Sequence, residues 1–577
     1  MPDLSREQRS AVDQAGNLIL SACPGSGKTF TTSARVNRLV GEGVRVAVCS
    51  YTNVGVEQVA KFLSDAPNER GHFQGTLHGF LLRYVLYPFG KLVTGSQATP
   101  RLVPDAAVFW PDVVFRNDPS RRLSVAKFHL KADGSTQVLT IPFNVGLTPE
   151  QANVEGGRQA LRRKTELAAA GYVSFSDAMY WSLQVLRAEP WVAQALAARF
   201  DEIIVDEAQD TTEVQLACLE ALLSTGSLKS LVLVGDGDQS IASFAGATLN
   251  GCERLASVHG LLELTLRENY RSSQVICNMA ANFRQNRVPD FAVGIDADVL
   301  IAPEVFTYPA RRPEKAAQSF LRRIVELGED PGSSAVLART NNLCEKLNGS
   351  STGKLGFDVA SLGRAVANLA SGCVTKTDIL QVDSLLAELA WGTHAVGDLD
   401  GVTRTLVREA SVHLLESAPD LSLDMTDWIP ALRLAVASAL NLLTDSPAQK
   451  AGNRIRRSAS TPRVSAQSVF GAQSARQFVG QTIHDVKGET RTTVLVVTGE
   501  GSPKRSPEVE LWVRHLKGEE LSSTEAEELR IAFVALSRAR RYCAVAIPEA
   551  MVTRAMQVLV GAGFVAAPSS TTSGQAL

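Results

Sequence analysis

No run of apolar residues approaches the roughly 18 that a membrane-spanning helix needs. The opening residues, Met1-Pro2-Asp3-Leu4-Ser5-Arg6-Glu7-Gln8, lack an apolar signal core. Neither a bilayer anchor nor a secretory leader is therefore expected. The eight cysteines (Cys23, Cys49, Cys218, Cys252, Cys277, Cys344, Cys373, Cys543) are scattered, with no C-x-x-C pair. That spacing offers no zinc or iron–sulfur cluster and fits the reduced thiols of a cytoplasmic protein. Net charge is nearly absent as well: 58 Lys and Arg against 60 Asp and Glu leave −2. A uniformly basic nucleic-acid binder is excluded, but a local basic groove is not. There is no solenoid-type repeat. What remains is 577 residues, or roughly four pieces at about 150 residues per domain. With 45% hydrophobic and 20% charged residues, the chain can bury sizeable cores and does not read as disordered.

Short apolar strands alternate with helices in the first stretch. Asn17 to Ala22 reads as a buried strand, followed by a Gly-rich turn and a helix from about Lys28 to Val40. Val44 to Ser50, Glu202 to Val205 and Leu231 to Val234 are further strands, as expected of a parallel sheet covered on both faces. The pattern returns at Val299 to Ile301, Ala335 to Leu337 and Thr493 to Val497. Two stretches of different texture interrupt it. The later one is helical in character, as at Ile429 to Leu443, and ends in the basic, Ser-rich segment Lys450 to Arg463, expected to be an exposed loop.

Ala22-Cys23-Pro24-Gly25-Ser26-Gly27-Lys28-Thr29 sits between a strand and a helix. Small residues there let backbone N–H groups face a phosphate chain, and the helix N-terminus adds its positive dipole end. Lys28 can reach the β- and γ-phosphates and Thr29 can ligate Mg²⁺; Thr31 is counted with these nucleotide contacts. The usual first Gly is Ala22 here. Ile203-Ile204-Val205-Asp206-Glu207-Ala208-Gln209-Asp210 delivers two carboxylates to the carboxyl end of the sheet, where ligands of open α/β sheets bind. Asp206 suits Mg²⁺, which takes one or two carboxylates plus phosphate oxygens. Glu207 is the candidate to orient and deprotonate an attacking water. An acidic pair after a strand is more often a solvated helix start, a reading that recedes downstream of a phosphate loop.

These two segments resemble the Walker A and B motifs of the UvrD/Rep/PcrA helicases of superfamily one, and further motifs of that family follow in order. Gln8 resembles the Q motif, which implies adenine recognition. Ser50-Tyr51-Thr52-Asn53 resembles motif Ia and Gly75-Thr76-Leu77-His78 motif Ib, implying single-stranded DNA contacts from Thr52, Asn53, Thr76 and His78. Val234 to Ile241 is similar to motif III, with Gln239 at the γ-phosphate sensor position. Glu268-Asn269-Tyr270-Arg271-Ser272 matches motif IV, with Tyr270 on adenine and Arg271 on the γ-phosphate. Leu337-Ala338-Arg339-Thr340-Asn341 and Thr482-Ile483-His484-Asp485-Val486-Lys487-Gly488-Glu489 are similar to second-domain segments; Arg339, Thr482 and His484 are the DNA contacts implied, and Glu489 the ribose contact. Ala532 to Ala539 resembles motif VI, with Arg538 as the arginine finger.

The resemblance implies an α/β fold of two RecA-like P-loop NTPase domains with parallel sheets, each carrying a largely helical insertion. The first motor domain would be 1–88 and 172–275, interrupted by 89–171. The second would be 276–345 and 475–567, interrupted by a reduced insertion, 346–474, with a disordered tail at 568–577. Phe244 stands at the family's base-stacking position. Tyr51 and Phe80 are further aromatic candidates, Phe80 serving equally as core. The clusters Arg158/Arg162/Arg163/Lys164 and Arg454/Arg456/Arg457/Arg463 either meet DNA phosphates or form solvated faces. Departures are visible too: Glu489-Thr490 replaces the usual apolar-then-Glu order, Gly237 replaces a common acidic residue, and Ala242, Ser243 and Ala245 are smaller than usual around the stacking aromatic.

The function implied is an ATP-dependent DNA helicase moving 3′→5′ on single-stranded DNA and tailed duplex, driven by ATP with Mg²⁺. A compact chain with this KGET segment also resembles the helicase-like subunits encoded beside OLD-family nucleases in defence systems such as Gabija. The alternative is therefore a DNA-activated ATPase that senses DNA for a nuclease partner. A nucleotide-binding module without turnover would not need Glu207, Gln239 and Arg538 together.

Overall fold

The computed structural model describes residues 4–50, 71–103, 110–115, 118–139, 141, 145–241, 251–284, 286–347, 357–372, 376–391, 401–457, 461, 463–470, 480–501 and 506–568. Tyr51, Thr52, Asn53, Phe244 and residues 569–577 lie outside the described residues. The chain divides into two compact units: residues 1–103, 110–307 and 483–577 form one, and residues 104–109 with 308–482 form the other. The fold is α/β with parallel sheets. No helix among the described residues is long and apolar enough to cross a membrane.

The first unit opens with helix α1 (Arg6–Asp13), strand β1 (Leu18–Ala22), helix α2 (Lys28–Gly41) and strands β2 (Val46–Ser50) and β3 (Phe73–Thr76). Strands β4 (Glu202–Asp206), β5 (Ser230–Gly235) and β6 (Leu262–Leu266) complete a six-stranded sheet in the order β6-β1-β5-β4-β2-β3, parallel throughout. Successive residues of a strand face opposite sides of the sheet, and both sides here are covered. Leu18, Leu20, Val46, Val48, Ile204, Val232 and Val234 pack with Val36 and Leu39 of α2. Ala47, Cys49, Ile203, Val205, Leu231 and Leu233 pack into the other core. This double burial is why the strands read as nearly continuous apolar runs. Arg35 of α2 ties the entrance together: it is ion-paired with Glu202 at 2.6 Å and donates to the Ala11 and Gln14 carbonyls at the end of α1, all buried or nearly so.

Residues 112–138 add two antiparallel hairpins, Asp112–Phe115 with Asp118–Ser124 and Phe128–Leu130 with Thr136–Val138. They pack on helix α3 (Pro149–Ala169), where Gly156 admits Val113 and Phe128 so closely that a Cβ would lie 2.8 and 2.9 Å from them. The helical character expected of this insertion thus resides mainly in α3, beside the hairpins. Lys164, expected in an exposed basic cluster, is instead buried and ion-paired with Asp177, which also accepts from Ser174 Oγ at 2.5 Å and Leu130 N at 3.0 Å. A buried ammonium persists only when paired in this way, so Lys164 is withdrawn from any phosphate track. Phe80 is 0% exposed and packs on Phe73, Tyr84 and Phe200, which makes it core and not a base-stacking surface.

The same unit carries strands β7 (Glu304–Tyr308), β8 (Arg491–Val497), β9 (Ala539–Pro548) and β10 (Val565–Ala566), in the order β8-β9-β7-β10, and helix α4 (Ser523–Leu536), whose Ser522/Glu525 capping box fixes its start. The strand expected at Val299 to Ile301 begins later, at Glu304. Leu300 is 85% exposed, and the first carbonyl taken by the neighbouring strand is that of Pro303, from Val565 N at 2.8 Å.

The second unit pairs Ser334–Ala338 with Gly480–Thr482 in parallel, Ala338 opposite Thr482. Helices Phe357–Ala370, Lys376–Trp391, Gly401–Glu416, Met425–Leu440, Pro447–Arg454 and Ala466–Phe470 surround a core centred on Trp428, Leu432 and Phe470. The expected loop from Lys450 is helical as far as Arg454, because Arg454 is anchored to Asp358 at 2.6 Å and Glu388 at 2.8 Å.

Candidate nucleotide site

The phosphate loop runs from the end of β1 into α2. Gly25 and Gly27 have φ of 75° and 78°, a left-handed conformation that costs other residues. Crowding demands glycine at position 25 too, where a Cβ would sit 2.5 Å from Arg271 Cβ; one on Gly27 would press only on the Gln8 amide, at 2.9 Å from Nε2. Tyr270 N donates to the Gly25 carbonyl at 2.9 Å and Cys23 N to Leu266 O at 3.0 Å, holding the loop between Ala22 and Pro24 in place. Gln8 is placed by α1: its Oε1 accepts from Ser5 N, closing a capping box, and its Nε2 donates to Ser26 O at 3.0 Å. Ser26 Oγ is buried with no hydrogen-bond partner among the described residues. An orphaned hydroxyl inside a glycine cradle fits a phosphate oxygen. Thr31 is buried and its hydroxyl donates back to the Gly27 carbonyl at 3.0 Å.

Strand β4 ends in Asp206, and Glu207 follows at φ 54°, ψ 40°. A left-handed glutamate is strained, and such strain clusters at functional sites. Lys28 Nζ lies 3.7 Å from Glu207 Oε2, and Gln209 Nε2 donates to the same carboxylate. Burial by itself would raise the Glu207 carboxyl, but the positive charges of Lys28 and Lys487, the Gln209 hydrogen bond and Arg538 outweigh it and hold the group ionised. Burial and the neighbouring Glu207 charge push Asp206 the other way, upward. Two adjacent carboxyls driven apart are a mark of catalytic sites. Among the described residues no group of three or more His, Cys, Asp or Glu could hold a metal; a hard divalent cation here would need Thr29, Asp206 and phosphate oxygens together.

Opposite the loop, Gln239 donates from Nε2 to Asp236 Oδ2 at 2.6 Å and accepts at Oε1 from Arg538 Nη2, also at 2.6 Å. Arg538 leaves the end of α4, is 1% exposed, and is braced by its Nε on the Val534 carbonyl at 2.9 Å. Arg271 Nη1 donates to the Ser537 carbonyl at 3.0 Å, next to Arg538. Burial lowers the two guanidinium groups, Arg271 to about 9 with Arg538 repelling it, and Arg538 to about 10. Neither is ion-paired with a carboxylate among the described residues. Tyr270 is 41% exposed, its hydroxyl donating to Glu268 at 2.7 Å. Glu489 sits at the margin, its carboxylate ion-paired with Arg491 and its carbonyl 3.5 Å from Arg538 Nη1.

The residues expected at DNA lie on several elements of the two units. Thr76 Oγ1 caps the helix Leu77–Leu81 by accepting from Gly79 N at 2.9 Å. His78 stacks on Phe175 with ring centroids 4.0 Å apart. His484 lies on the turn after Thr482 in the first unit, while Arg339 and Thr482 follow Ala338 and end the adjacent strand in the second. Thr52, Asn53 and Phe244 lie outside the described residues.

Several residues at the site carry no role in the motif reading. Lys487 donates to Asp210 Oδ2 at 2.5 Å and to the Gln239 carbonyl at 3.1 Å. Gln209 Oε1 accepts from Asp236 N at 3.0 Å, joining the acidic turn to the sensor segment. Arg284 pairs with Asp238 and Asp290, both at 2.6 Å. Asp210 and Lys487 stand inside recognised motifs, so their presence was visible in the sequence, but their partnership spans 277 positions.

Comparison with known proteins agrees with this geometry. The UvrD/REP helicase N-terminal domain matches residues 146–259, which include β4, β5 and the acidic turn. The ATP-dependent DNA helicase UvrD1 of Mycobacterium tuberculosis is 26% identical over 374 residues, 60% of this chain and 48% of that protein. DNA helicase II of Escherichia coli is 25% identical over 365 residues, 59% and 49% of the two chains. A probable DNA helicase II homologue of Rickettsia felis is 23% identical over 298 residues. The matches span about half the length of these relatives. In sequence and in fold, this chain is similar to the UvrD/Rep-like helicases of superfamily one.

Proposed function

We propose that the chain is an ATP-dependent translocase that moves 3′→5′ on single-stranded DNA in the cytoplasm and separates tailed duplex. The observation that carries the nucleotide half of this reading is the pair Arg271 and Arg538, two buried guanidinium groups near the phosphate loop that are not ion-paired with a carboxylate among the described residues. Buried cations need a counter-charge, and a triphosphate extending from the loop past Lys28 would supply it. Mg²⁺, held by Thr29 and Asp206, would neutralise phosphate oxygens when bound.

Glu207, kept ionised by Lys28 and Lys487, is the group to orient water and accept its proton at a carboxylate oxygen. Gln239 contacts both Asp236 and Arg538, so it can report the γ-phosphate to both. The DNA half of the reading rests on the family and on the motif positions of Thr52, Asn53, Thr76, His78, Phe244, Arg339, Thr482 and His484. Separating a base-pair step costs about 1.4 kcal/mol on average, within the reach of one hydrolysis per step.

The test is ATP hydrolysis with and without single-stranded DNA, then strand displacement on 3′-tailed and 5′-tailed duplexes, with Lys28→Ala as the blank. Stimulated hydrolysis and displacement from 3′ tails are expected. Displacement from 5′ tails alone overturns the polarity, and stimulated hydrolysis without displacement favours a DNA-sensing ATPase acting for another protein.

A further inference from the structure

Lys487 occupies a position that the phosphate loop and the arginines do not explain. It lies on the turn following Thr482, three residues after His484, and its own N–H bonds back to the His484 carbonyl at 3.3 Å. Its side chain reaches into the catalytic layer with only 20% exposure and makes two contacts there. One is the ion pair with Asp210 Oδ2 at 2.5 Å, and the other is the hydrogen bond to the Gln239 carbonyl at 3.1 Å. Asp210 belongs to the short turn that begins at Glu207, where Asp210 N donates to the Glu207 carbonyl at 3.0 Å. Gln239 ends the segment begun by Asp236. One ammonium group therefore joins the turn that presents Glu207 to the segment that presents Gln239. Gly488 follows at φ 87°, so the backbone turns away just after the side chain has entered.

The partner is suited to holding it. Asp210 is 2% exposed, and its Oδ1 has no hydrogen-bond partner among the described residues. Without Lys487, a buried carboxylate would keep neither an ion pair nor a full set of hydrogen bonds, a costly state. The neighbouring Arg530, on α4, donates to the Ser240 carbonyl at 2.8 Å, but it touches the sensor segment alone. Gln209, within the turn, bonds directly to Asp236 N at 3.0 Å; Lys487 reaches both from the His484 turn.

We propose that Lys487 is a positioning residue that couples the His484 turn to hydrolysis, setting Glu207 and Gln239 in register when that turn engages DNA. The inference rests on the ATP-hydrolysis and DNA reading above and specifies how that site is regulated.

The experiment compares steady-state ATP hydrolysis by the full chain, Lys487→Met and Lys487→Arg, with and without an oligo-thymidylate single strand. A thermal-melt double-mutant cycle between Lys487→Met and Asp210→Asn accompanies it. The expected result for Lys487→Met is a fall of at least about tenfold in the ratio of DNA-stimulated to basal kcat, with KM for ATP changed less than about twofold. Lys487→Arg should restore part of the ratio, and the melts should be non-additive. A ratio unchanged in a folded Lys487→Met overturns the proposal, and so does a raised KM with kcat intact, which would mark a nucleotide contact. A wild-type chain that hydrolyses no ATP while the melts stay non-additive overturns the hydrolysis reading, and this coupling with it. That outcome is distinguishable from an active wild type with an unaffected variant.

Discussion

Arg538 Nη2 donates to Gln239 Oε1 at 2.6 Å, across 299 positions of sequence. The arginine comes from the end of the helix before β9, the glutamine from the loop after β5. Their hydrogen bond therefore joins the two halves of the first unit, at the γ-phosphate position proposed above. Replacing the neutral Gln239 oxygen by a phosphoryl oxygen would turn an already charge-assisted bond into an ion pair with a charged acceptor.

Arg538→Ala should lower kcat for ATP hydrolysis by about 10³-fold or more, the scale seen for arginine fingers, with a much smaller effect on nucleotide affinity. Arg538→Lys should recover little, because an ammonium cannot reproduce the planar fork that meets both Val534 and Gln239. Single-turnover hydrolysis and equilibrium nucleotide binding measured on the same variants check both parts. An Arg538→Ala chain hydrolysing ATP at the wild-type rate removes the finger from the mechanism.

Glu207→Gln should leave the fold and nucleotide binding intact and cut hydrolysis by about 10²–10⁴-fold, the usual contribution of a positioned general base. The left-handed backbone at Glu207 is retained, since Gln has the same shape. Normal turnover in this variant would mean that another group handles the water proton.

Lys164→Met addresses the insertion. Breaking a buried ion pair from one side costs about 3–5 kcal/mol, because Asp177 is left charged and enclosed. Denaturant unfolding should register that loss, and Asp177→Asn in the same background should return part of it. Single-stranded DNA affinity and its salt dependence should be unaffected by Lys164→Met; a reduced salt slope would restore Lys164 to the phosphate track.

His78 provides a pH test. Burial pushes its imidazole down to about 4, below the ordinary value of about 6.5. The unfolded chain therefore binds the proton first, so the contribution is complete above about pH 6.5 and is lost as pH falls toward 4. The loss amounts to about 3 kcal/mol at most. Denaturation midpoints at pH 7.5 and pH 5 should differ more for the wild type than for His78→Phe, which keeps a ring against Phe175 but does not titrate. Equal pH dependence in the two would show that His78 is solvated.

The parts of the candidate nucleotide site were legible because they are local. Glycine at a left-handed turn, Lys28-Thr29 at a helix start and Asp206-Glu207 at a strand end are each dictated within a few residues by backbone geometry and dipole. The strands of the first sheet were legible for a related reason, since burial on both faces leaves continuous apolar runs such as Leu231 to Val234. Exposure was the harder matter. Lys164 and Arg454 read as members of basic clusters, yet Asp177, Asp358 and Glu388 sit elsewhere in the chain and neutralise them. Val299 to Ile301 is apolar enough for a strand, but Leu300 stands in solvent and pairing begins only past Pro303.

By itself, then, the sequence determined the phosphate loop, the carboxylate pair, the order of the motifs and the α/β class, all properties of short segments and their periodicity. The tertiary structure alone decided which charges meet: Lys487 with Asp210 and Gln239, Arg538 with Gln239, Lys164 with Asp177. Electrostatic partnership depends on distance in space and on exclusion of water, and neither can be read from separations of 277 or 299 positions along a chain.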